Sequence, residues 1–321
     1  MLFSGSRRTI PQLTRWRRGD PNMATRRRTL SIVLAVLLLL LGGFAATAWF
    51  GTGPVNVLLM GLDEGRTRTD VVVLAHLEPR KGMLTLLSLP RDTLVEIDCA
   101  PLSEWCVTPD KLAHAHAYGG ERGPEVTVET VERLLGVDID HWVRVDFEGF
   151  QKVVDLLGGV DLVIDQDMHY EDPYADPPLH IHFEASEEPQ HLDGQRALEF
   201  VRYRGVTGDI GRTERTKQFL VALARKARET QSLTRLPSAI RTGLAYVDTD
   251  IDVRTAFSLA IAALRVDLDR TRMETLPGWD DPGHRRGWVW VPDEEAVAEV
   301  VDRLILHPEP PADEPEVGSE D

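Results

Sequence analysis

The chain has 321 residues, 42% of them apolar, with 36 Lys and Arg against 52 Asp and Glu for a formal net charge of −16. That apolar content excludes wholesale disorder, and two cysteines exclude a disulfide-built scaffold or a four-cysteine zinc site. The acidity argues against nucleic acid as a partner, since such binders need a basic field. The average hides a split: residues 1–29 hold eight Arg and one Asp, leaving 28 basic against 51 acidic residues in the remainder. A basic head and an acidic body predict two compartments.

Residues 30–50 are an uncharged, Leu-rich run of 21 residues abutted by Arg26, Arg27 and Arg28. At roughly 1.5 Å per residue, a helix of that length spans a hydrocarbon core of about 30 Å. Arginines stay on the cytoplasmic side. The reading is a single-pass anchor in the cell membrane, with residues 1–29 as a cytoplasmic head and the rest extracytoplasmic. A buried core helix competes with it, as does a signal peptide cleaved at Ala46-Thr47-Ala48, which exports the domain equally. Met23 is an alternative start. Export favours a local disulfide between Cys99 and Cys106 over two free thiols, because the compartment is oxidising.

Apolar runs at 55–60, 70–77 and 83–89 read as buried strands, the last two as a hairpin around Pro79-Arg80-Lys81-Gly82. A helix at 126–135 stops at Gly136, and 139–147 alternates as a strand. A helix at 150–157 stops at Gly158-Gly159, and 160–164 is the next strand. Residues 165–190, with Pro173, Pro177, Pro178 and Pro189, read as a long polar loop. Helices follow at 192–203, with Asp193 near the N-cap, and at 212–229 and 253–266. Strands are predicted at 273–276 and 288–291. A last helix at 293–306 opens with three acids that suit the positive end of its dipole. Residues 308–321 read as a disordered, acidic, Pro-rich tail. Strands and helices mixed in one run make 53–307 a single α/β domain, a three-layer α/β/α arrangement with a central mixed sheet.

Three groups carry candidate chemistry. Asp63, Arg66, Arg68 and Asp70 lie on the loop joining the first two strands, at a sheet end where α/β proteins bind ligands. Asp63 and Asp70 either bracket a hard cation such as Mg²⁺ or perform ordinary turn chemistry. Arg91 and Asp92 end the third strand. Arg202, Arg204, Arg212 and Arg215 fall within fourteen residues of an acidic domain. They either pair with local acids such as Glu199, Asp209 and Glu214, or fork onto phosphate oxygens beside a helix N-terminus. A cation site with converging arginines is what phosphoryl transfer requires. Two H-x-H pairs, His114/His116 and His180/His182, offer a zinc reading. The first falls in a helix-like segment where i and i+2 diverge, and no third ligand stands at a telling spacing. A Gly-x-Ser-x-Gly nucleophile motif is absent.

Read in order, further segments complete a pattern: Asn56-Val-Leu-Leu-Met-Gly-Leu-Asp63, Arg68-Thr-Asp70, Leu87-Ser-Leu-Pro-Arg-Asp92, Lys111-Leu-Ala-His-Ala-His-Ala-Tyr-Gly-Gly120, Val145-Asp-Phe-Glu-Gly-Phe150, Leu157-Gly-Gly-Val-Asp161, His191-Leu-Asp-Gly-Gln-Arg-Ala197, Arg202-Tyr-Arg204 and Gly208-Asp-Ile-Gly-Arg212. With these the chain resembles the LytR–CpsA–Psr family of cell-wall enzymes across roughly 53–220. The resemblance implies a membrane-anchored phosphotransferase. Its substrate would be an anionic glycopolymer on an undecaprenyl-diphosphate carrier, and its acceptor peptidoglycan, at the muramic acid C6 hydroxyl, with some members hydrolysing the pyrophosphate. It also implies an apolar lipid tunnel within the domain. By motif match Asp63 and Asp70 hold Mg²⁺ or Mn²⁺, and Arg68, Arg91, Arg202, Arg204 and Arg212 bind the diphosphate, assisted by Arg215. The loop from Asp63 to Asp70 is shorter than the family's. Thr216 follows Arg215 where the family often has Gln, and Gln218 comes two residues later. Asp92 and Asp209 are candidate bases by sequence proximity. The alternative function is a non-catalytic, exported wall-binding or regulatory protein of the same fold.

Overall fold

Continuous apolar runs build the first three strands, β1 (Val55–Leu62), β2 (Thr69–Glu78) and β3 (Met83–Leu89), as predicted. They are followed by a short ladder of β4 (Leu94–Val95) with β5 (Asp110–Lys111), helices α1 (Leu112–Gly119) and α2 (Gly123–Leu135), then β6 (His141–Val145). Helix α3 (Phe147–Leu157) leads into β7 (Val160–Ile164), β8 (Met168–Asp172), β9 (Leu179–Phe183) and β10 (Ser186–Leu192). Then come α4 (Gly194–Arg202), α5 (Gly208–Arg228), β11 (Asp248–Thr249), α6 (Val253–Ala263), β12 (Arg272–Thr275), β13 (Gly278–Asp281), β14 (Val289–Pro292) and α7 (Glu294–Val301). This computed structural model describes residues 53–100, 102, 104–173, 179–203, 208–229 and 240–308, except the side chains of 208–210 and 212. The predicted membrane helix, the tail from 309, Arg204 and the side chains of Asp209 and Arg212 lie outside the described residues. Among the described residues no helix is long and apolar enough to cross a membrane.

The central sheet is mixed, in the order β11-β6-β1-β2-β3-β12. β6 and β12 run parallel to their neighbours β1 and β3, and the other pairs are antiparallel. The rows Leu58–Leu74–Leu87 and Met60–Val72–Leu89 stand in register on one face. They pack with Val126, Val131 and Leu135 of α2 and Val297, Val300 and Val301 of α7. The opposite face carries Leu59, Val73 and Val143 in one row and Gly61, Val71 and Val145 in the next. That face does not meet its covering layer directly. Across a cavity stand α3, α4 and α5, built around a second core of Val154, Val160, Ile181, Phe183, Phe200 and Phe219.

Local signals explain most element ends. Asp146, Asp193, Asp252 and Asp293 each cap a helix, accepting the N–H three residues on at 2.8, 2.9, 2.6 and 3.2 Å. The Asp146 cap starts α3 at Phe147, three residues before the predicted start. Gly136 and Gly158 end α2 and α3 at φ of 68° and 86°, a conformation that costs a residue with a Cβ.

The predicted loop at 165–190 is corrected: it contains β8, β9 and the start of β10. Met168, Leu179, Ile181 and Phe183 alternate inward as core, while His169, Glu171, His180 and His182 face out. The polar half of that alternation and the prolines masked the period-two pattern. Pro189 sits where the β10 register slips between Ser186 and Gln190.

Cys99 and Cys106 form the predicted disulfide, their Cα atoms 5.5 Å apart. Breaking so short a loop with Cys99→Ser is expected to cost about 2 kcal/mol by the chain-entropy relation. Urea unfolding of the oxidised chain and the variant would measure it.

Candidate active site

The cavity between sheet and second layer has a volume of about 810 Å³. Its body is largely apolar: Leu59, Val71, Val73, Val143 and Val145 from the sheet, Phe147, Phe150 and Val153 from α3, and Phe219, Leu220 and Leu223, with the hydroxyl-bearing Thr216, from α5. The last four recur at helical spacing, so one face of α5 lies on the cavity. Its polar lining includes Asp63, Glu64, Arg68, Asp70, Arg91, Asp92, Lys111, His114, Asp146, Tyr170, Asp172 and Arg202.

Asp63 organises the first loop. Its Oδ1 accepts the N–H groups of Thr67 at 3.0 Å and Arg68 at 3.2 Å, and its own N–H donates to the Arg68 carbonyl at 2.9 Å. The tight turn places Arg66 at φ 56°, where it pairs with Asp146 at 2.7 Å. His116 supports the loop from beneath, its Nδ1–H donating to the Thr67 carbonyl while Nε2 accepts from Arg144. Burial lowers the His116 pKa, which suits this neutral, doubly bonded ring. Through Oδ1, Asp63 thus shapes the turn.

Arg91 leaves the end of β3 and donates to Asp70 at 2.5 Å and to Asp92 at 3.3 Å. Lys111 holds the other Asp92 oxygen at 2.7 Å. Burial alone would lower the Arg91 pKa, but the hydrogen bond and charge of Asp70, then Asp92, outweigh it and the pKa is raised. Arg202 reaches across from α4 to Glu64, its guanidinium 4.4 Å from the Phe147 ring centre. Arg68, Arg91, Arg202, Asp63 and Asp70 thus converge on one cavity, as their motifs imply.

Two expected site residues stand elsewhere. Arg215 is buried at 3% exposure, donates to the Tyr203 carbonyl and lies over the Tyr203 ring. It braces the C-terminal end of α4, directly before Arg204. Gln218 is off the cavity-facing stripe, and Thr216 occupies it instead. Charge logic overlooked Glu64 and Lys111, the carboxylate and ammonium that hold Arg202 and Asp92. Lys111 was visible only as part of its motif.

Asp63 and Asp70 are hard carboxylate donors lining one cavity. That suits Mg²⁺, which takes one or two carboxylates and completes its shell with water and phosphate oxygens. Among the described residues no three His, Cys, Asp or Glu form a metal-holding group. The two H-x-H pairs accordingly find other partners. His114 and His116 diverge on α1, while His182 faces His169 and His180 faces Glu171 across the β8–β9 hairpin.

The LytR_cpsA_psr family model matches residues 46–305. The chain belongs to the LytR_cpsA_psr family. Among its relatives, the polyisoprenyl-teichoic acid–peptidoglycan teichoic acid transferase TagV of Bacillus subtilis (strain 168) is 31% identical over 230 residues, 70% of this chain and 56% of TagV. The match thus spans just over half of TagV's length. The transferase TagU of Bacillus cereus (strain ATCC 14579) is 30% identical over 266 residues, 79% of each chain. The fold of this LytR_cpsA_psr member resembles the crystal structure of B. subtilis TagV, with a TM-score of 0.64 and 27% identity over 78% of this chain and 96% of that one. It also resembles TagT bound to LIIa-WTA, with a TM-score of 0.61 and 26% identity over 78% and 89% of the two chains.

Proposed function

We propose that this protein is a membrane-anchored phosphotransferase. It moves an anionic glycopolymer from a polyprenyl-diphosphate carrier to peptidoglycan, at the muramic acid C6 hydroxyl. One observation carries the reading: an apolar cavity of about 810 Å³ shares its lining with Arg68, Arg91 and Arg202 and with a set of carboxylates that includes Asp63 and Asp70. An aliphatic lipid and a diphosphate need those two environments in contiguity. The names of the transferases TagU and TagV support the same reaction class.

In this reading the polyprenyl chain fills the space lined by Phe150, Phe219, Leu220 and Leu223. Arg68, Arg91 and Arg202 grip the diphosphate, joined by Arg204 and Arg212. Guanidinium forks match phosphate oxygens two at a time and neutralise the charge that builds on the bridging oxygen as it leaves. Mg²⁺ or Mn²⁺, held by Asp63 and Asp70, would neutralise the remaining diphosphate charge. Arg91 already bridges Asp70 and Asp92, so its guanidinium is held in place before substrate arrives. Water in the acceptor's place gives pyrophosphatase activity. Residues 30–50 anchor the chain with its N-terminus cytoplasmic and its catalytic domain outside, beside both the lipid carrier and the wall.

The test uses the full chain in detergent with geranyl diphosphate, with and without Mg²⁺. Release of geranyl phosphate, detected by mass spectrometry and dependent on Mg²⁺, is the expected result. A folded chain that neither binds nor cleaves the diphosphate overturns the reading.

A further inference from the structure

An acceptor hydroxyl must lose its proton, and the carboxylates lining the cavity are already engaged: Glu64 pairs with Arg202, Asp146 holds the Gly149 N–H and Arg66, and Asp172 is not free. Asp92 accepts from Lys111 on one oxygen and Arg91 on the other. Asp70 accepts from Arg91, and Asp63 from two backbone N–H groups. His114 is placed differently. It lines the cavity, and its side chain is 28% exposed. Its Nδ1–H donates to Asp110 Oδ2 at 2.9 Å. The same oxygen accepts the Tyr118 hydroxyl at 2.6 Å, and Oδ1 accepts the Lys111 N–H at 2.9 Å.

Asp110 is 4% exposed at its side chain, so this carboxylate is withdrawn from water and fixed by three donors. Burial pushes its pKa up, yet the Tyr118, His114 and Lys111 hydrogen bonds win and hold it below the usual carboxylate value. Tyr118 is pushed up to about 12, by burial first and the Asp110 hydrogen bond next, and stays a donor. A carboxylate that only accepts requires the His114 proton on Nδ1, which leaves the lone pair on Nε2. Among the described residues Nε2 has no hydrogen-bond partner. His116, two residues on, has both ring nitrogens bonded and is 3% exposed, so the two histidines of the motif hold different posts.

We infer that His114 is the general base for the acceptor hydroxyl and that Asp110 is its positioning residue. This rests on the transferase reading. The hydroxyl oxygen forms a bond to the glycan-bearing phosphorus as its proton passes to His114 Nε2. The bond from that phosphorus to the bridging oxygen breaks, and its electron pair leaves with the polyprenyl phosphate. Asp110 stabilises the imidazolium until it releases the proton to water.

The full chain in detergent, given a polyprenyl-diphosphate-linked glycan and a peptidoglycan fragment, tests this. His114→Gln should lower kcat for transfer by about 10²–10⁴-fold while affinity for geranyl diphosphate stays within about twofold. That retained affinity also reports an intact fold. Added imidazole should restore part of the rate lost in His114→Gly, and Asp110→Asn should lower kcat with the donor KM unchanged. Transfer by His114→Gln within about threefold of the unmodified chain, or a loss carried wholly by donor KM, overturns the assignment. In either case the unmodified chain still transfers, so the transferase reading survives. An unmodified chain that binds geranyl diphosphate but transfers nothing overturns both.

Discussion

Arg91→Ala is expected to lower glycopolymer transfer by about 10³-fold, the scale of removing an arginine that stabilises phosphoryl-transfer charge. Two effects add. The variant loses a guanidinium from the cavity lining, and it leaves Asp70 and Asp92 with less positive charge beside them. Those carboxylates then repel the diphosphate they had helped to place. Lys111 still holds Asp92, so the loop keeps one of its two tethers. The Arg91 side chain is 34% exposed, and ion pairs at such sites contribute about 0–1 kcal/mol. Thermal unfolding should therefore move little while transfer collapses. Arg91→Lys should recover only a small part, because an ammonium is a point charge and cannot fork onto two oxygens. Polyprenyl phosphate release, followed by mass spectrometry beside a melting curve, checks both halves. Transfer within about tenfold of the unmodified chain would remove Arg91 from the phosphate site.

Phe200→Ala is expected to destabilise the domain by about 3–5 kcal/mol, the usual range for emptying a fully buried aromatic site. Phe200 is 0% exposed and meets Phe183 edge-on, the ring centroids 6.2 Å apart. Its neighbours Val160, Ile181 and Phe219 belong to the second core, which stands across the cavity from the sheet. That core is held by ribbons and helices rather than by the central sheet, so a hole in it has few rigid elements to close it. Urea unfolding at constant pH, with tryptophan fluorescence as the signal, should show the midpoint fall at unchanged slope. Phe200→Leu should recover most of the loss. A cost below about 1 kcal/mol for the alanine variant would mean that the site collapses freely around the deletion.

The central strands were legible because β1, β2 and β3 are continuous apolar runs, and several helix ends because Asp caps and glycine stops act within four residues. The β8–β9 hairpin was not legible, since its inward apolar residues are interleaved with His and Glu and the sequence between its strands is rich in proline. Of the site residues, Arg68, Arg91, Arg202, Asp63 and Asp70 were found by charge logic: isolated guanidinium clusters in an acidic chain need a counterpart. Arg215 obeyed the same logic and yet is spent on the Tyr203 carbonyl, a bond that sequence spacing cannot foresee.

By itself the sequence determined the first three strands, most of the helices, the ordered motifs and the charge pattern, because each depends on neighbours a few residues apart. Only the tertiary structure decided which charges meet. Glu64 and Arg202 pair across 138 positions, and His116 reaches the Thr67 carbonyl across 49. The cavity itself exists because β1, β2 and β6 align their side chains in register beneath helices that come later in the chain. Such contacts are set by the packing of whole elements, whose geometry no local run of residues encodes.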